Sequence, residues 1–196
     1  MKIVSLIPSA TEIISALDLC NNLVGISHEC DYPKKILKLP KLTTSRIKTQ
    51  QSSLRIDCNI KEILKQSLSV YEVKSDLLKK LDPDVIITQS QCSVCAVSLK
   101  DVEECLSKFI NRKPLLIDLK PNTFEEVLKD INLVGNKLNK KAESYFIVKN
   151  IKNEINKIKA KTLNSKIKNI LCIEWIEPIM TAGNWIPQLV KFAGGN

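Results

Sequence analysis

The chain has 196 residues and carries 30 Lys and Arg against 21 Asp and Glu, which gives a formal net charge of +9. Its 44% hydrophobic and 26% charged residues are typical of a globular protein, and no apolar run approaches the ~18 residues that cross a membrane. Only 5% of the residues are aromatic and the lysines concentrate on helix-patterned stretches. The positive charge therefore predicts a solvated surface rather than a nucleic-acid partner.

Short apolar runs alternate with helical patterns along the chain. Strands are predicted at residues 2–7, 23–26, 69–73, 84–88, 114–119 and 168–175. Helical patterns occupy residues 13–17, 59–66, 75–81, 99–110 and 123–162, and a last helix opens near residue 185. Residues 41–57 show no strong periodicity and are expected to be extended and irregular.

Two helix starts carry local signals. Pro8 ends the first strand, and Ser9 with Glu12 has the spacing of a capping box, so we expect Ser9 to cap the first helix. Thr123 and Glu126 repeat this spacing at the start of the long helical stretch. Each pair predicts a helix whose first backbone N–H groups are bonded by side chains.

The order of the elements predicts an α/β fold with a largely parallel sheet. Five strands precede the long helical stretch, which breaks near residues 136–140, and one strand follows it. One strand and one helix cannot bury a two-layer core. We therefore expect an α/β lobe at 1–122, a helical connector with one long helix at 123–166, and at 167–196 the start of a second lobe that these residues leave incomplete.

The single histidine and three of the seven cysteines lie in loops that follow strands. His28 and Cys30 follow the second strand, and Cys92 and Cys95 follow the strand at 84–88. Ligands bind at the carboxyl ends of the strands in an open parallel sheet. We therefore expect three loops to line a ligand site at that edge, namely residues 8–12, 27–33 and 89–98.

Three interpretations of these side chains are open. Cys92 and Cys95 have the two-residue spacing of zinc ligands, and His28 with Cys30 completes a four-ligand set for zinc or iron. Alternatively, Cys92 and Cys95 form a transient redox pair, or all the thiols are reduced and unpaired. Because the number of cysteines is odd, a fully disulfide-bonded scaffold is not expected.

The sequence favours binding over catalysis. It contains no GxSxG elbow, no HExxH and no phosphate-cradling GxxxxGK motif, and His28 is the only histidine that a general-base scheme has available. We therefore expect no enzyme activity. Trp175, Trp185 and Tyr32 lie in loop-like segments, where each is either a core residue or a wall of an apolar ligand crevice.

Several stretches resemble class III periplasmic substrate-binding proteins, in the order in which that family carries them. They are residues 3–12 (IVSLIPSATE), 24–33 (VGISHECDYP), 81–87 (LDPDVII), 177–183 (EPIMTAG) and 189–195 (LVKFAGG). Within the family, the HECDYP and QCSVCAVS stretches are similar to those of a subgroup of cobalamin-binding proteins of ABC importers.

The resemblance implies two α/β lobes, the first with a Rossmann-like parallel sheet, joined by a long helix around residues 141–161. It implies that cobalamin or a related corrinoid is held between the lobes and passed to an ABC permease, with no cofactor required. Asp76 falls where family members carry an acidic residue that docks on the permease. The predicted ligand-binding residues are Pro8, Ser9, His28, Glu29, Cys30, Asp31, Tyr32, Gln89, Gln91, Cys92, Cys95, Trp175 and Trp185.

The ligand and the compartment have alternatives. Where the best-known cobalamin binders present aromatic residues, this chain has Glu29 and Gln89, so an iron chelate or a metal ion is the alternative ligand. An intracellular Cys/His metal-binding or thiol protein is the alternative class. The family is extracytoplasmic, yet the N-terminal stretch has neither a basic lead segment nor a small-residue cleavage site. The sequence as written is therefore expected to be cytoplasmic.

Overall fold

The computed structural model describes residues 1–66, 68–91, 99–107 and 113–196. Its strands are β1 (Ile3–Ser5), β2 (Leu23–Ile26), β3 (Thr43–Ser45), β4 (Tyr71–Val73), β5 (Val85–Gln89), β6 (Leu115–Leu119), β7 (Ile173–Trp175) and β8 (Met180–Thr181). Its helices are α1 (Pro8–Ala16), α2 (Ser53–Lys65), α3 (Ser75–Leu81), α4 (Leu99–Ser107), α5 (Phe124–Lys137), α6 (Lys141–Thr162) and α7 (Ile186–Phe192). The chain divides into two compact units, Met1–Lys120 and Pro121–Asn196.

The first unit is built on a four-stranded sheet in the order β2-β1-β5-β6, and every pairing in it is parallel. Val4 of β1 pairs with Ile86 of β5, and Ile87 pairs with Ile117 of β6. The strands are rich in Val, Ile and Leu on both faces, which is typical of a parallel sheet covered on both sides. The predicted α/β fold with a largely parallel sheet is confirmed.

One apolar cluster of the first unit packs on one face of this sheet. Strand residues Val4 and Ile86 contribute to it, together with Leu78 of α3 and Val102 of α4. The full cluster of buried residues is Val4, Leu6, Leu42, Val73, Leu78, Ile86, Val102, Cys105 and Leu106. This packing holds the strands in register, and it thereby fixes the edge from which the loops after β1, β2 and β5 emerge.

The sequence predicted an irregular segment at residues 41–57, but the structure contains regular elements there. These residues contain β3 and the first turns of α2, and β3 pairs antiparallel with β4 in a separate two-stranded sheet. In β3 only Thr43 is buried, while Thr44 is exposed. A strand of three hydroxyl-bearing residues has no apolar alternation, so its pairing with a distant strand decides its conformation.

The capping box expected at Ser9 is wrong. The helix α1 begins at Pro8, Ile7 is its N-cap residue, and no side chain caps it. Proline is well suited to the first helical position because its φ angle is already helical. A backbone N–H at this position would have no partner within the helix, so its absence in proline costs nothing. Ser9 therefore lies inside the first turn, with its side chain exposed.

In the second unit the expected capping box at α5 is confirmed. The Thr123 hydroxyl accepts a hydrogen bond from the backbone N–H of Glu126, and the Glu126 carboxylate accepts one from the backbone N–H of Thr123. The predicted break after this helix is also present, since α5 ends at Lys137 and α6 begins at Lys141. With 22 residues, α6 is about 33 Å long.

The last part of the second unit contacts α5 and α6 through the aromatic ring of Phe192. The Phe192 ring of α7 lies 5.6 Å from the Phe124 ring, and the Lys159 ammonium lies 3.8 Å from the centre of the same Phe192 ring. The strand predicted at 168–175 is reduced to β7, which pairs antiparallel with β8. Its three residues are exposed or half-buried, so no packed layer extends the strand.

Among the helices that the structure describes, none is both long enough and apolar enough to cross a membrane.

Candidate functional site

The described residues that follow β1, β2 and β5 lie at the carboxyl edge of the parallel sheet, whereas residues 92–98 of the third predicted loop lie outside the described ranges. The loop after β1 leads at once into α1, where Pro8 is half-buried and Ser9 is exposed. The loop after β2 contains His28, Glu29 and Cys30, whose side chains contact Thr43, Tyr71 and Thr11, respectively.

A buried chain of hydroxyl and thiol groups ties the first two loops together. The Thr11 Oγ1 lies 3.1 Å from the Cys30 Sγ and donates a hydrogen bond to the Ser5 Oγ at 2.8 Å. The Ser5 hydroxyl in turn donates to the backbone carbonyl of Ile7 at 2.9 Å. Either atom of the Thr11–Cys30 pair can donate in this contact, which closes the chain of polar groups.

Cys30 is therefore an anchoring thiol. It is 2% exposed, and burial raises the pKa of this thiol, an effect that exceeds the opposing influence of its hydrogen bond with Thr11. A raised pKa keeps the sulfur protonated at neutral pH, whereas a metal ligand or nucleophile requires the thiolate. The sequence signal for this network is weak, because Ser5 and Thr11 lie within apolar or helical patterns.

His28 is held by Thr43 of β3. The Thr43 Oγ1 lies 2.7 Å from the His28 Nδ1, accepts the His28 backbone N–H at 3.0 Å, and lies 3.0 Å from the Ser27 Oγ. These contacts commit Nδ1 to the protein and direct Nε2 towards the Glu29 carboxylate, whose Oε1 is 4.0 Å away. The imidazole is 28% exposed.

The charge state of His28 follows from its surroundings. Burial lowers its pKa most strongly, the Glu29 carboxylate raises it, and the Lys41 and Lys74 ammonium groups lower it again. The net effect is a pKa below the ordinary value, so the imidazole is neutral at pH 7.

Tyr71 of β4 completes this side of the edge. Its hydroxyl donates a 2.8 Å hydrogen bond to the Glu29 Oε1, and its ring centre lies 5.2 Å from that of His28. Sequence reasoning missed both Tyr71 and Thr43. They belong to the antiparallel β3-β4 pair, and only the folding of that pair onto the second loop brings them to the site.

The remaining residues of the second loop face solvent. Asp31 and Tyr32 are exposed, with 61% of the Tyr32 surface accessible. The Lys41 ammonium donates to the Cys30 carbonyl at 2.8 Å and to the Ser27 carbonyl at 3.5 Å, which closes the turn beneath them.

On the other side of the edge lies a second polar group, at the ends of β5 and β6. Gln89 is buried, and its Nε2 donates to the Gln91 Oε1 at 3.1 Å. The Ser90 hydroxyl donates to the Asp118 Oδ2 at 2.7 Å, and the Lys120 ammonium lies 3.0 Å from the same oxygen. Amide and hydroxyl groups therefore lie here beside a compensated carboxylate.

The described residues do not test the predicted cysteine-containing metal site. Cys92 and Cys95 lie outside the described residues, so the four-ligand set with His28 and Cys30 stays a prediction. Within the described ranges, no three His, Cys, Asp or Glu side chains are grouped so that they could hold a metal ion.

Three other predicted residues belong to other elements of the fold. Trp175 in β7 and Trp185 before α7 belong to the second unit, and the Trp175 indole donates to the Glu177 carbonyl at 3.0 Å. Asp76 lies in the first turn of α3 with its side chain exposed. Their roles in ligand binding or docking stay predictions.

No protein-family model matches the chain. An uncharacterized ABC transporter substrate-binding lipoprotein, YvrC of Bacillus subtilis (strain 168), is 26% identical to it over 176 residues. The match covers 88% of this chain and 46% of the lipoprotein, so the chain spans less than half the length of this relative.

Solved structures with the same fold cover the whole chain. A possible iron-binding periplasmic protein from Staphylococcus epidermidis ATCC 12228 is 20% identical with a TM-score of 0.71. The vitamin B12 binding protein BtuF and the heme binding protein HutB, both of Vibrio cholerae, are 19% and 16% identical with TM-scores of 0.66 and 0.72. This chain covers 66%, 64% and 65% of these three chains, respectively. It therefore has the fold of class III periplasmic binding proteins, over about two-thirds of their length.

Proposed function

We propose that this chain belongs to the substrate-binding component of an ABC importer and binds cobalamin or a related corrinoid. The observation that carries the proposal is the gathering of polar loops at the carboxyl edge of a parallel sheet, in a fold that otherwise serves extracytoplasmic capture of ligands. The HECDYP and QCSVCAVS stretches, which resemble a cobalamin-binding subgroup, support the corrinoid as ligand. A vitamin B12 binding protein is among the solved structures with this fold.

The chemistry of the edge suits such a ligand. A corrin ring is a flat apolar macrocycle whose rim carries amide groups. The Gln91 amide, itself bonded to Gln89, exchanges hydrogen bonds of the kind that rim amides offer. The exposed Tyr32 ring supplies an apolar surface for the macrocycle. In this role the protein makes and breaks no covalent bond.

Delivery to a permease completes the proposed role. Asp76, exposed in the first turn of α3, is the residue of the first unit that we propose to contact the permease. The proposed compartment follows from the proposed role, because an importer component meets its ligand outside the cytoplasm.

Calorimetric titration tests the ligand. The protein, with whatever sequence flanks these residues in its gene, is titrated with cyanocobalamin and with cobinamide. We expect saturable heat with at least one of them, weakened at least ten-fold by Gln91→Ala or Tyr32→Ala. Tyr145→Ala, an exposed tyrosine of α6, is the matched control and leaves the affinity unchanged. Absence of heat with both corrinoids overturns the proposal.

A second candidate ligand is heme or an iron chelate. It is favoured by the imidazole, carboxylate and phenol groups of the second loop and β4, and heme and iron binders share the fold. Titration with hemin and with a ferric hydroxamate siderophore under the same conditions discriminates. Heat with either of these, and none with the corrinoids, replaces the first proposal by the second.

The other class of function is an intracellular Cys/His metal-binding or thiol protein that uses His28, Cys30, Cys92 and Cys95. Metal analysis of protein purified without oxygen tests it. One equivalent of zinc or iron that is lost on Cys92→Ser with Cys95→Ser supports this class. The anchoring contacts of Cys30 argue against its participation, since its sulfur is buried and bonded to Thr11.

A further inference from the structure

The second unit carries a groove beside the ends of α6 and α7 that combines apolar side chains with positive charge. It holds about 440 Å³ and is lined by Leu163, Ile167 and Phe192, together with Lys159 and Lys191. Leu163 and Ile167 are 81% and 69% exposed. The groove is therefore suited to a segment that is apolar and carries negative charge.

The hairpin of β7 and β8 presents a segment of this kind in the same unit. Ile176 and Ile179 lie in the turn between the two strands and are 74% and 73% exposed. Glu177, between them, is also exposed, and its backbone carbonyl accepts a 3.0 Å hydrogen bond from the Trp175 indole, which ties the turn to β7. This hairpin tip, residues 176–179, thus matches the groove in apolar character and is opposite to it in charge.

We propose that a second copy of this chain covers the groove, and that the hairpin tip of each copy lies in the groove of the other. Within one chain, the tip residues do not line the groove. In a two-fold pair each copy offers the same tip and the same groove, so the contact forms twice and the assembly closes at two chains. The Glu177 carboxylate of one copy then lies beside the Lys191 ammonium of the other.

The exposed apolar area is sufficient for such a pair. Leu163, Ile167, Ile176 and Ile179 together expose on the order of 600 Å², and a stable interface buries roughly 600–1,000 Å² on each partner. Burial of these side chains supplies the affinity, whereas the charged pair fixes the orientation of the two copies.

This interface lies wholly in the second unit and goes beyond the proposed transport role. It uses no residue of the polar loops at the sheet edge of the first unit. The titrations with corrinoids and the test of self-association can therefore fail independently of each other.

Sedimentation velocity over a range of protein concentrations tests the proposal. The protein is taken with whatever sequence flanks these residues in its gene, so a flanking segment that occupies the groove would give a monomer. We expect a reversible dimer. Ile176→Ser at the tip, Glu177→Lys and Lys191→Glu should each raise the dimer dissociation constant at least ten-fold.

Mixing the two charge-reversal variants gives the decisive measurement. Alone, Glu177→Lys places two positive charges together in each contact, and Lys191→Glu places two negative charges together. In a mixed pair, the reversed tip of one variant meets the reversed groove of the other, while the remaining tip and groove are unchanged. Both contacts are then complementary, so an equimolar mixture should regain the dissociation constant of the wild type.

Controls separate this contact from general effects of charge. Glu154→Lys and Lys149→Glu make the same changes of net charge on α6, at exposed residues that do not line the groove, and both should leave the dimer unchanged. A wild-type protein that stays monomeric at every soluble concentration overturns the proposal. So does a mixture of the two reversal variants that stays monomeric although each has native circular dichroism, or a dimer that persists in both variants.

Discussion

The two units of this chain differ most in what their strands bury. In the first unit, all five residues of β5 are buried, and the cluster around Ile86 is apolar and closed. In the second unit, residues 149–196 are all described and none is buried, although they include Leu163, Ile176 and Ile179, each more than 70% exposed. A parallel sheet covered on both faces forms a core by itself, whereas two short antiparallel strands and one helix do not.

This difference in burial bears on the candidate polar site, which lies in the first unit. The carboxyl edge of the first unit lies at the end of strands whose apolar residues are buried. The side chains of His28 and Tyr71 are held there by their contacts with Thr43 and Glu29. Preorganisation of this kind reduces the entropy that binding has to offset.

The largest effect is expected from removing core volume in the first unit. Ile86→Ala should lower the free energy of unfolding by about 2–5 kcal/mol, since Ile86 is fully buried. Ile173→Ala in β7, at a residue that is 53% exposed, should cost less than about 0.5 kcal/mol. Urea unfolding followed by circular dichroism measures both. Equal losses would contradict the contrast between the two units.

A second substitution tests where the second unit is tightly packed. A Cβ added at Gly135 of α5 would overlap Ser144 of α6 and lie 2.9 Å from the Lys140 carbonyl oxygen. Gly135→Ala should therefore destabilise the protein by about 1–3 kcal/mol, in spite of the higher helix propensity of alanine. Gly183→Ala, with open space around the new Cβ, is the control and should be neutral. A stabilised Gly135→Ala protein would show that the two helices are loosely packed, and thermal unfolding reports the sign.

The N-termini of α1 and α5 allow a comparison of the two units in which smaller losses of stability are expected. Thr123→Ala removes the capping hydroxyl of α5 and should cost about 1 kcal/mol. Ser9→Ala in α1 removes a hydroxyl that caps nothing, and its effect should stay below about 0.5 kcal/mol. Chemical denaturation of the two variants gives the difference. A larger loss for Ser9→Ala would mean that α1 is capped by its side chain after all.

The smallest effect is a pH dependence of the α5 cap. Hydrogen bonds from the backbone N–H groups of Asn122 and Thr123 hold the pKa of Glu126 below its ordinary value of 4.5. A carboxyl with a lowered folded-state pKa contributes stability above its unfolded pKa, and this contribution is lost as the pH falls through the folded value. Wild type should therefore exceed Glu126→Gln in stability at pH 7, and the gap should close below about pH 4.5. A gap that is constant down to pH 3 would exclude the carboxylate as its source.

Local pattern predicted most of the fold. The strands at β1, β2, β5 and β6 and the helix α3 carry strong apolar signals, and each was found close to where it was expected. The Ser9 cap failed because the helix begins at Pro8, two residues earlier than a Ser9 cap would place it, so two valid local signals compete. β3 was missed because three residues with one buried threonine have no period to detect.

The sequence predicted the position of the candidate site but not the contacts of its residues. The loop with His28, Glu29 and Cys30 follows from its position after a buried strand. The roles of these residues do not follow from that position, since Cys30 contacts Thr11 while Glu29 contacts Tyr71. Such partners lie 19 and 42 residues apart in sequence, and no spacing rule connects them.

The sequence by itself determined that this is an α/β chain with polar loops at one edge of a parallel sheet. Buried strands and turns could be predicted because both depend on residues that are close together in the sequence. Only the tertiary structure decided which polar groups meet there. The antiparallel β3-β4 pair brings Thr43 and Tyr71 to the second loop. It thereby converts a lone histidine and its neighbouring carboxylate into a group of three oriented donors. The physical reason is that such contacts depend on the packing of distant segments, which a local pattern does not encode.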